Sequence, residues 1–372
     1  MLRKLAKAGF AAGMHRTGFD RMLAAGKGTD QLPLVLSYHR VVENFERSAA
    51  NSISPMLVST GTFEKQLDFI GQRYEFVPLD ELAQAFEAGR TPGKNRKPLA
   101  AVTFDDGYGD TYYHAYPILK RKGIPLAVFV VTDLVGSTGM QVHDELHLML
   151  RSALTQWARP SQQVAELLEQ AGVAPTIKTL LCDQVLDPFR FTRLCLELLP
   201  NAQTTRLAEL LRNNVSPPSD TLHEFHSVSW EMLQHMVKHG VTVGSHTKSH
   251  KLLVNETFPT ILDEIKGSRI ELEQRLGKKI RHFAYPDGRF NTDALHAVAA
   301  AGYRYAYTTC MHRDSQQPML TIPRRVLWEH SCVDGFGRFS PSILSCQLNG
   351  IFDPATKCQQ RHWESASVSP VQ

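Results

Sequence analysis

The feature that most restricts the fold of this 372-residue chain is an alternation of short strand-like runs with helix-like segments. The predicted strands are Leu34–Tyr38, Ala100–Phe104, Leu126–Val131, Val241–Ser245, His282–Tyr285, Tyr305–Thr309 and Leu320–Ile322. The predicted helices, which carry apolar residues at helical spacing, are Thr62–Gln72, Asp80–Ala88, Tyr108–Lys122, Trp230–His239, Ile261–Leu276 and Thr292–Ala301. Glycine directly follows the last four helices, as expected at helix C-termini. Such alternation predicts a parallel sheet, here an irregular (β/α) barrel.

The alternation is lost between about Gly136 and His226, where the composition favours several helices. We interpret this stretch as a helical insertion after the strand Leu126–Val131. It is either a wall or lid over a substrate groove or a decoration without a functional role. The predicted organisation is an N-terminal helical segment at 1–30, a main domain at 31–330 and a C-terminal extension at 331–372. No clear pattern follows Leu327, and the end, Ser365–Gln372, is expected to be disordered.

The first motif that carries chemistry is the pair Asp105 and Asp106, which ends an apolar run and is followed at once by Gly107. This pattern is typical of a buried strand that delivers two acids to its C-terminal tip, where ligand sites of α/β folds gather. Adjacent carboxylates repel one another, so a cation on one of them would leave the other free to act as a base. A plain strand followed by an Asp-Gly turn is the alternative.

The second motif is the pair His246 and His250, which follows the predicted strand Val241–Ser245. If the chain turns helically after Ser245, two residues four apart lie on one face. Two imidazoles on one face, with a carboxylate from elsewhere, can bind one divalent ion. The chain has 16 histidines, so isolated pairs are expected by chance, and others such as His143 are interpreted as solvated or packed. Two polar strand tips in one sequence are more specific than either alone.

These residues resemble the NodB-type polysaccharide deacetylases, carbohydrate esterase family four. Residues 103–107, Thr-Phe-Asp-Asp-Gly, match the family's first motif, and 245–250, Ser-His-Thr-Lys-Ser-His, match its second. Residues 283–288, Phe-Ala-Tyr-Pro-Asp-Gly, are similar to its third. The resemblance runs from about Leu34 to about Leu327 and implies a distorted seven-stranded barrel.

The resemblance also implies roles for the motif residues. Asp105 would be the general base, and Asp106, His246 and His250 would hold a divalent metal ion. Zinc is the first expectation for this ion, with cobalt, nickel or manganese as alternatives. The substrate and oxyanion site would include Tyr285, Pro286 and the backbone near Asp287.

The sequence departs from the family pattern at two points. The third motif commonly has an arginine that orients the base, but Ala284 stands there, which leaves Arg289, Arg324 and Arg325 as substitutes. A C-terminal Leu-x-x-His motif, which supplies the general acid, is not evident. Instead, His39 follows the first predicted strand, as in the poly-N-acetylglucosamine deacetylase branch, and we assign it as the acid. A buried structural histidine is the alternative for His39.

The expected function is metal-dependent removal of N-acetyl groups from an amino-sugar polymer or glycan precursor. The alternatives are another C–N hydrolase on the same scaffold, acting on a formamide or a cyclic amide, and a non-catalytic carbohydrate-binding relic. With 41 basic and 37 acidic residues, the net charge of +4 argues against nucleic acid as a partner.

Composition and cysteine usage predict where the protein works. Six cysteines without Cys-x-x-Cys pairing predict a reduced, cytoplasmic protein. No apolar run approaches the length of about 18 residues that a membrane span needs. The basic N-terminal segment predicts a short amphipathic helix, which leaves contact with the inner face of the membrane open.

Overall fold

The protein is an α/β structure, seen in a computed structural model that describes residues 2–26, 33–89, 96–217 and 221–353. Its strands are β1 (Leu34–Tyr38), β2 (Arg40–Val42), β3 (Leu57–Ser59), β4 (Glu75–Phe76), β5 (Leu99–Phe104), β6 (Leu126–Val130), β7 (Thr242–Ser245), β8 (His282–Ala284), β9 (Tyr305–Thr308), β10 (Ile322–Pro323) and β11 (Arg325–Val326). The main sheet has the order β10-β9-β8-β7-β6-β5-β1-β11, with β4 beside β5, and β2 pairs with β3 separately.

The main sheet closes into a barrel at Arg324. This residue alone separates β10 from β11, which lie at opposite ends of the strand order. The stretch from Ile322 to Val326 therefore pairs with β9 through its first half and with β1 through its second half, both in parallel. Counted as one strand, β10 and β11 join β1, β5, β6, β7, β8 and β9 in a parallel barrel of seven. The predicted distorted (β/α)7 barrel is confirmed.

Helices surround the barrel, and further helices precede its first strand and follow its last strand. They are α1 (Leu2–Arg16), α2 (Phe19–Gly26), α3 (Phe45–Ala49), α4 (Thr60–Gly71), α5 (Leu79–Glu87), α6 (Tyr116–Lys122), α7 (Val142–Gln156), α8 (Pro160–Gln170), α9 (Pro175–Cys182), α10 (Pro188–Leu198), α11 (Asn201–Asn214), α12 (Trp230–Lys238), α13 (Phe258–Leu276), α14 (Thr292–Ala300) and α15 (Pro341–Leu348). Apolar faces of α4, α6, α12, α13 and α14 join outward-facing strand residues in the largest buried cluster. No described helix is both long and apolar enough to cross a bilayer.

One predicted helix differs in type and one predicted strand differs in its start. The helix predicted from Tyr108 begins one residue later, at Gly109, because Tyr108 forms an isolated bridge with Ser227. Its first part contains a π-helical turn, Thr111–Ala115, directly before α6. The last strand was predicted at Leu320–Ile322, but Pro318–Leu320 is a 3₁₀ turn and the strand begins at Ile322. The other predicted strands agree within about two residues, the usual uncertainty of element ends.

The insertion is a bundle of five helices, α7 to α11, between β6 and β7. It has a core of its own, which is separate from the barrel core and includes Leu146, Phe191, Cys195 and Leu211. A cluster of this kind fixes the helices relative to one another. The insertion is therefore a packed unit, and its helices occupy fixed positions beside the barrel.

The tail has more structure than the sequence indicated. The sequence predicts no element beyond Leu327, but Ser340 caps a helix there by accepting a hydrogen bond from the N–H of Ile343 at 3.3 Å. This helix, α15, packs against α1, so the two ends of the described chain meet. Buried Asp20 strengthens the contact by accepting a hydrogen bond from Ser345 at 2.5 Å. The disorder predicted for Ser365–Gln372 lies outside the described residues.

Candidate metal and catalytic site

The two acids of the first motif stand at the C-terminal tip of β5. Asp105 follows Phe104 in an extended continuation whose N–H bonds to the carbonyl of Tyr38 on β1 at 2.9 Å. Asp106 has a φ of 67°, a left-handed conformation that a non-glycine residue adopts only at a cost. Gly107 also has positive φ, and a Cβ there would lie 2.9 Å from a methyl group of Val130. Glycine is thus required for the sharp turn that separates the two carboxylates.

The histidine pair stands at the tip of β7, two strands from β5 in the barrel. The N–H of His246 continues the sheet by bonding to the carbonyl of Val130 at 2.9 Å. Its Nδ1 lies 2.8 Å from the carbonyl of Ala284, which directs Nε2 towards the site. The loop that follows is not helical. Thr247 and His250 both have left-handed φ values, and Thr247 Oγ1 accepts the N–H of His250 at 3.0 Å.

The turn thus brings the two imidazoles together, although the route differs from the helical turn considered in the sequence analysis. Glu264, buried on α13, accepts hydrogen bonds from the N–H groups of Lys248 at 3.0 Å and Ser249 at 2.9 Å. This carboxylate fixes the loop between the histidines from behind. The ring centroids of His246 and His250 lie 4.9 Å apart.

The structure brings Asp106, His246 and His250 together. Nε2 of His246 lies 3.5 Å and Nε2 of His250 lies 3.2 Å from Oδ1 of Asp106. One candidate ligand atom from each residue lies within 4.8 Å of the others. Both carboxylate oxygens of Asp106 are buried, and neither accepts a hydrogen bond from a described residue. An unsatisfied buried carboxylate facing two imidazole nitrogens fits a divalent cation, because this donor set suits zinc and its neighbours.

The charges in this cluster shift one another's pKa values. Burial alone would raise the pKa of Asp106, but the nearby imidazoles, His250 foremost, outweigh it and hold that pKa far below its ordinary value. Burial lowers the pKa of His246 to about 4. Burial also acts to lower the pKa of His250, but the adjacent Asp106 carboxylate outweighs it and raises that pKa. An ionised Asp106 and a neutral His246 are the protonation states that bind metal.

Asp105 faces the same space but is held by a different partner. Arg324, at the point of barrel closure, donates two hydrogen bonds to it, Nη1 to Oδ1 at 2.6 Å and Nη2 to Oδ2 at 2.7 Å. Ser37 Oγ adds a bond to Oδ2 at 3.2 Å. Burial acts to raise the pKa of Asp105, but Arg324 outweighs it and lowers that pKa. Asp105 is therefore ionised at neutral pH in a fixed orientation.

The other two candidate arginines lie elsewhere. Arg289 pairs with Glu197 at 2.8 Å and approaches Asp287 at 3.4 Å. Arg325 pairs with Asp353 at 2.5 Å. Among the three arginines predicted to substitute at Ala284, the structure places Arg324 on the carboxylate of Asp105.

Of the remaining predicted site residues, some line the cavity and one does not. His39, Pro286 and Asp287 line the same cavity as the two acids and two histidines. Tyr285 does not line it, because its side chain is fully buried and its hydroxyl donates to the carbonyl of Leu320 at 3.1 Å. Asp287 has a φ of 54°, and the N–H groups of the next two residues bond to the carbonyls of Tyr285 and Pro286. Those two N–H groups are thus engaged within the turn.

His143, interpreted from the sequence as solvated or packed, is packed, but it also lies at the site, which the sequence did not predict. This residue of α7 is buried, lines the cavity, and has its ring centroid 5.1 Å from that of His250. Tyr108 Oη lies 3.0 Å from His143 Nε2 and donates to Asp144 Oδ2 at 2.5 Å. Burial lowers the pKa of His143. Nothing in the local sequence distinguishes this histidine, because only the packing of the insertion brings it to the site.

The cavity above the strand tips has a volume of about 290 Å³. Apolar side chains from the loop before β3 form one wall, and the insertion helix α10 forms another. The lining residues are His39, Ile53, Pro55, Met56, Asp105, Asp106, His143, Phe189, Thr192, Arg193, Leu196, Glu197, His246, His250, Leu252, Pro286, Asp287, Gly288, Arg289, Thr309 and Val326. The α10 wall is mixed, because Thr192, Arg193 and Glu197 line it beside Phe189 and Leu196. A concave site that combines apolar surface with convergent polar groups is typical of small-molecule binding.

Fold and site together define an α/β-barrel protein with a candidate His-His-Asp metal centre beside a second, arginine-bound carboxylate. The family model described as polysaccharide deacetylase matches residues 92–176 and 199–306. The chain belongs to the polysaccharide deacetylase family, the NodB-type family that its motifs resemble. The match includes both acids and both histidines, whereas His39, α10 and Arg324 lie outside it.

Individual relatives agree with this assignment. The poly-beta-1,6-N-acetyl-D-glucosamine N-deacetylase of Staphylococcus aureus is 29% identical over 167 residues, which are 40% of this chain and 56% of that protein. The chain covers less than two thirds of the length of the first curated relatives.

Two solved structures share the fold. The deacetylase PplD of Streptococcus pyogenes matches with a TM-score of 0.53 at 18% identity, over 85% of this chain and 97% of that one. IcaB of Ammonifex degensii matches with a TM-score of 0.51 at 18% identity, over 86% and 97%.

Proposed function

We propose that this protein is a metal-dependent hydrolase that removes N-acetyl groups from an amino-sugar glycan or glycan precursor. The observation that carries the proposal is the pairing of two carboxylates with different partners at one strand tip. Asp106 faces two imidazoles, and Asp105, its neighbour in sequence, faces Arg324. One acid is thus suited to bind a cation and the other to accept a proton. Family membership and the staphylococcal relative's name support an N-acetylated glycan as the substrate.

The metal would be held by Asp106, His246 and His250. A divalent ion there supplies Lewis-acid polarisation of a carbonyl oxygen and lowers the pKa of a water. Zinc is our first expectation, and cobalt, nickel and manganese share enough of its chemistry to be alternatives.

Asp105 would accept the proton of the attacking water. Its Oδ2 accepts hydrogen bonds from Arg324 and Ser37, whereas Oδ1 accepts one, from Arg324, among the described residues. A carboxylate oxygen has two lone pairs, so Oδ1 retains one for the proton. Arg324 keeps the carboxylate plane fixed while this happens. We therefore assign Oδ1 as the basic atom and Arg324 as a positioning residue.

His39 would donate the proton that the leaving amine needs. It follows β1, a neighbour of β5 in the barrel, and lines the cavity with the two acids. An amine leaves poorly unless it is protonated, so a positioned acid contributes about 10²–10⁴-fold to such a reaction. Pro286 and Asp287 line the cavity and would contact the sugar.

The test is acetate release from a panel of N-acetylated glycans, including β-1,6- and β-1,4-linked N-acetylglucosamine oligomers. Each is assayed with the wild-type protein and with Asp105→Asn, which keeps the size of the side chain but loses its basicity. We expect acetate from at least one glycan and at least a 10²-fold loss in the variant. A folded, metal-loaded protein that releases no acetate from any member would contradict the proposal. Formate release from an N-formyl analogue alone would indicate a deformylase instead.

A further inference from the structure

One face of α10 forms a continuous wall of the cavity. The lining residues Phe189, Thr192, Arg193, Leu196 and Glu197 follow the spacing of a single helical face, from the first turn to the last. The opposite face of α10 is buried in the core of the insertion. The whole inner face of this helix is therefore directed at the space above the two strand tips.

Contacts hold this wall against the barrel at both the middle and the end of α10. Arg193 lies 3.4 Å from Asp287, and Arg289 lies 2.8 Å from Glu197, so two ion pairs join α10 to the turn after β8. Asn255, from the loop after the histidine motif, donates to the carbonyl of Leu196 at 3.1 Å. Partly exposed ion pairs contribute little stability, so we assign these contacts a positional effect.

The wall reduces the space available for a substrate. Ligand pockets span about 300–1,000 Å³, and the cavity of about 290 Å³ lies at the small end of this range. That volume suits one pyranose ring with its acetamido group. Both α10 and the segment 53–56 line the cavity, so these two walls limit the room for neighbouring sugars of a chain. The family model does not match residues 177–198, so the wall lies in a part of the insertion outside the family pattern.

We propose that the substrate residue is a terminal or single N-acetylhexosamine, and that α10 excludes internal residues of a glycan chain. The inference rests on the proposed function and specifies the substrate of the same site. Phe189 and Arg193 are the specificity-determining side chains. Both are directed into the cavity, and both remain substantially exposed, at 38% and 47%.

The experiment maps which sugars lose their acetyl groups. N-acetylglucosamine and its oligomers up to the pentamer are incubated with the metal-loaded protein, and the products are sequenced by mass spectrometry. We expect the wild-type protein to remove one acetyl group per chain, at a terminal residue, whatever the chain length. The double variant Phe189→Ala/Arg193→Ala opens the wall without touching the strand tips. It should raise the ratio of internal to terminal deacetylation by about tenfold or more, the scale on which pocket walls discriminate substrates.

The matched control is Arg190→Ala, which removes an exposed arginine from the same helix but outside the cavity lining. It should give the wild-type product map. Wild-type products deacetylated at internal residues would overturn the inference and leave the proposed function standing. No acetate from any oligomer would overturn both. The wild-type map requires no variant, so it decides the inference even if the double variant fails to fold.

Discussion

The contact between Arg324 and Asp105 allows a quantitative test. Both side chains are buried, at 0% and 3% exposure, and two hydrogen bonds of 2.6 and 2.7 Å join them. Removal of one partner of such a pair leaves an uncompensated buried charge, which costs about 3–5 kcal/mol. We therefore expect Arg324→Met to lower the free energy of unfolding by about that amount at neutral pH, as measured by urea denaturation.

The next residue provides a matched control. Arg325 also pairs with an aspartate, Asp353, but this pair is partly exposed, at 12% and 33%. Arg325→Met should therefore cost about 1 kcal/mol or less. In an Asp105→Asn background, Arg324→Met should cost less than it does alone, because the buried charge is absent. The reasoning would be refuted if Arg324→Met and Arg325→Met lowered the free energy of unfolding equally. It would also be refuted if Arg324→Met cost as much in the Asp105→Asn background as it does alone.

The same pair has a defined pH dependence. The pKa of Asp105 is lower in the folded protein than its ordinary value, chiefly because Arg324 outweighs the opposing effect of burial. The stability that the pair contributes is therefore fully present above the unfolded pKa of about 3.9 and is lost as pH falls through the folded value. Without Arg324, burial raises the pKa of Asp105, and protonation then removes the uncompensated charge. The deficit of Arg324→Met should accordingly be largest at neutral pH and should shrink as the pH falls.

Three further predictions follow from individual residues. Burial lowers the pKa of His147 to about 4, so the folded protein should lose stability as pH falls from 6.5 to 4.5. His147→Leu should make this loss smaller by about 2–3 kcal/mol, whereas the exposed control His296→Leu should leave it unchanged. Gly107→Ala should destabilise by more than Gly123→Ala in urea denaturation, because both glycines have positive φ but a Cβ at Gly123 meets open space; equal costs would contradict this reasoning. His39→Ala should lower kcat on an amide substrate by about 10²-fold or more, but much less on an activated ester of the same sugar; equal impairment on both would make His39 a structural or positioning residue.

Much of the barrel was predictable because its signals are local. Apolar β-branched runs mark the buried strands, and glycine at Gly123 and Gly277 takes the left-handed conformation that ends a helix. The π-helical turn before α6 and the capped helix α15 were not predicted. The π-helical turn depends on how neighbouring segments pack. Helix α15 does have a local start signal, Ser340 at the N-cap followed by Pro341, which was not recognised in the sequence.

Some residues of the candidate site were likewise predictable from local sequence, and others were not. Asp105, Asp106, His246 and His250 were predictable because each pair directly follows a strand, and parallel strands end at one edge of the sheet. Arg324 was one of three candidates, and only the closure of the barrel brings it to Asp105, 219 residues away in sequence. His143 and α10 reach the site through the packing of the insertion, which no pattern within the insertion specifies.

The most direct test of the account is a metal titration of the chelated wild-type protein, with bound metal and acetate release measured on the same samples. We predict that acetate release from an N-acetylated glycan is lost on chelation, returns in proportion to added Zn²⁺ and saturates at one ion per chain. His246→Ala should retain neither the bound ion nor the activity. Full acetate release from a chelated protein, or saturation of His246→Ala at one ion per chain, would contradict the proposed metal centre.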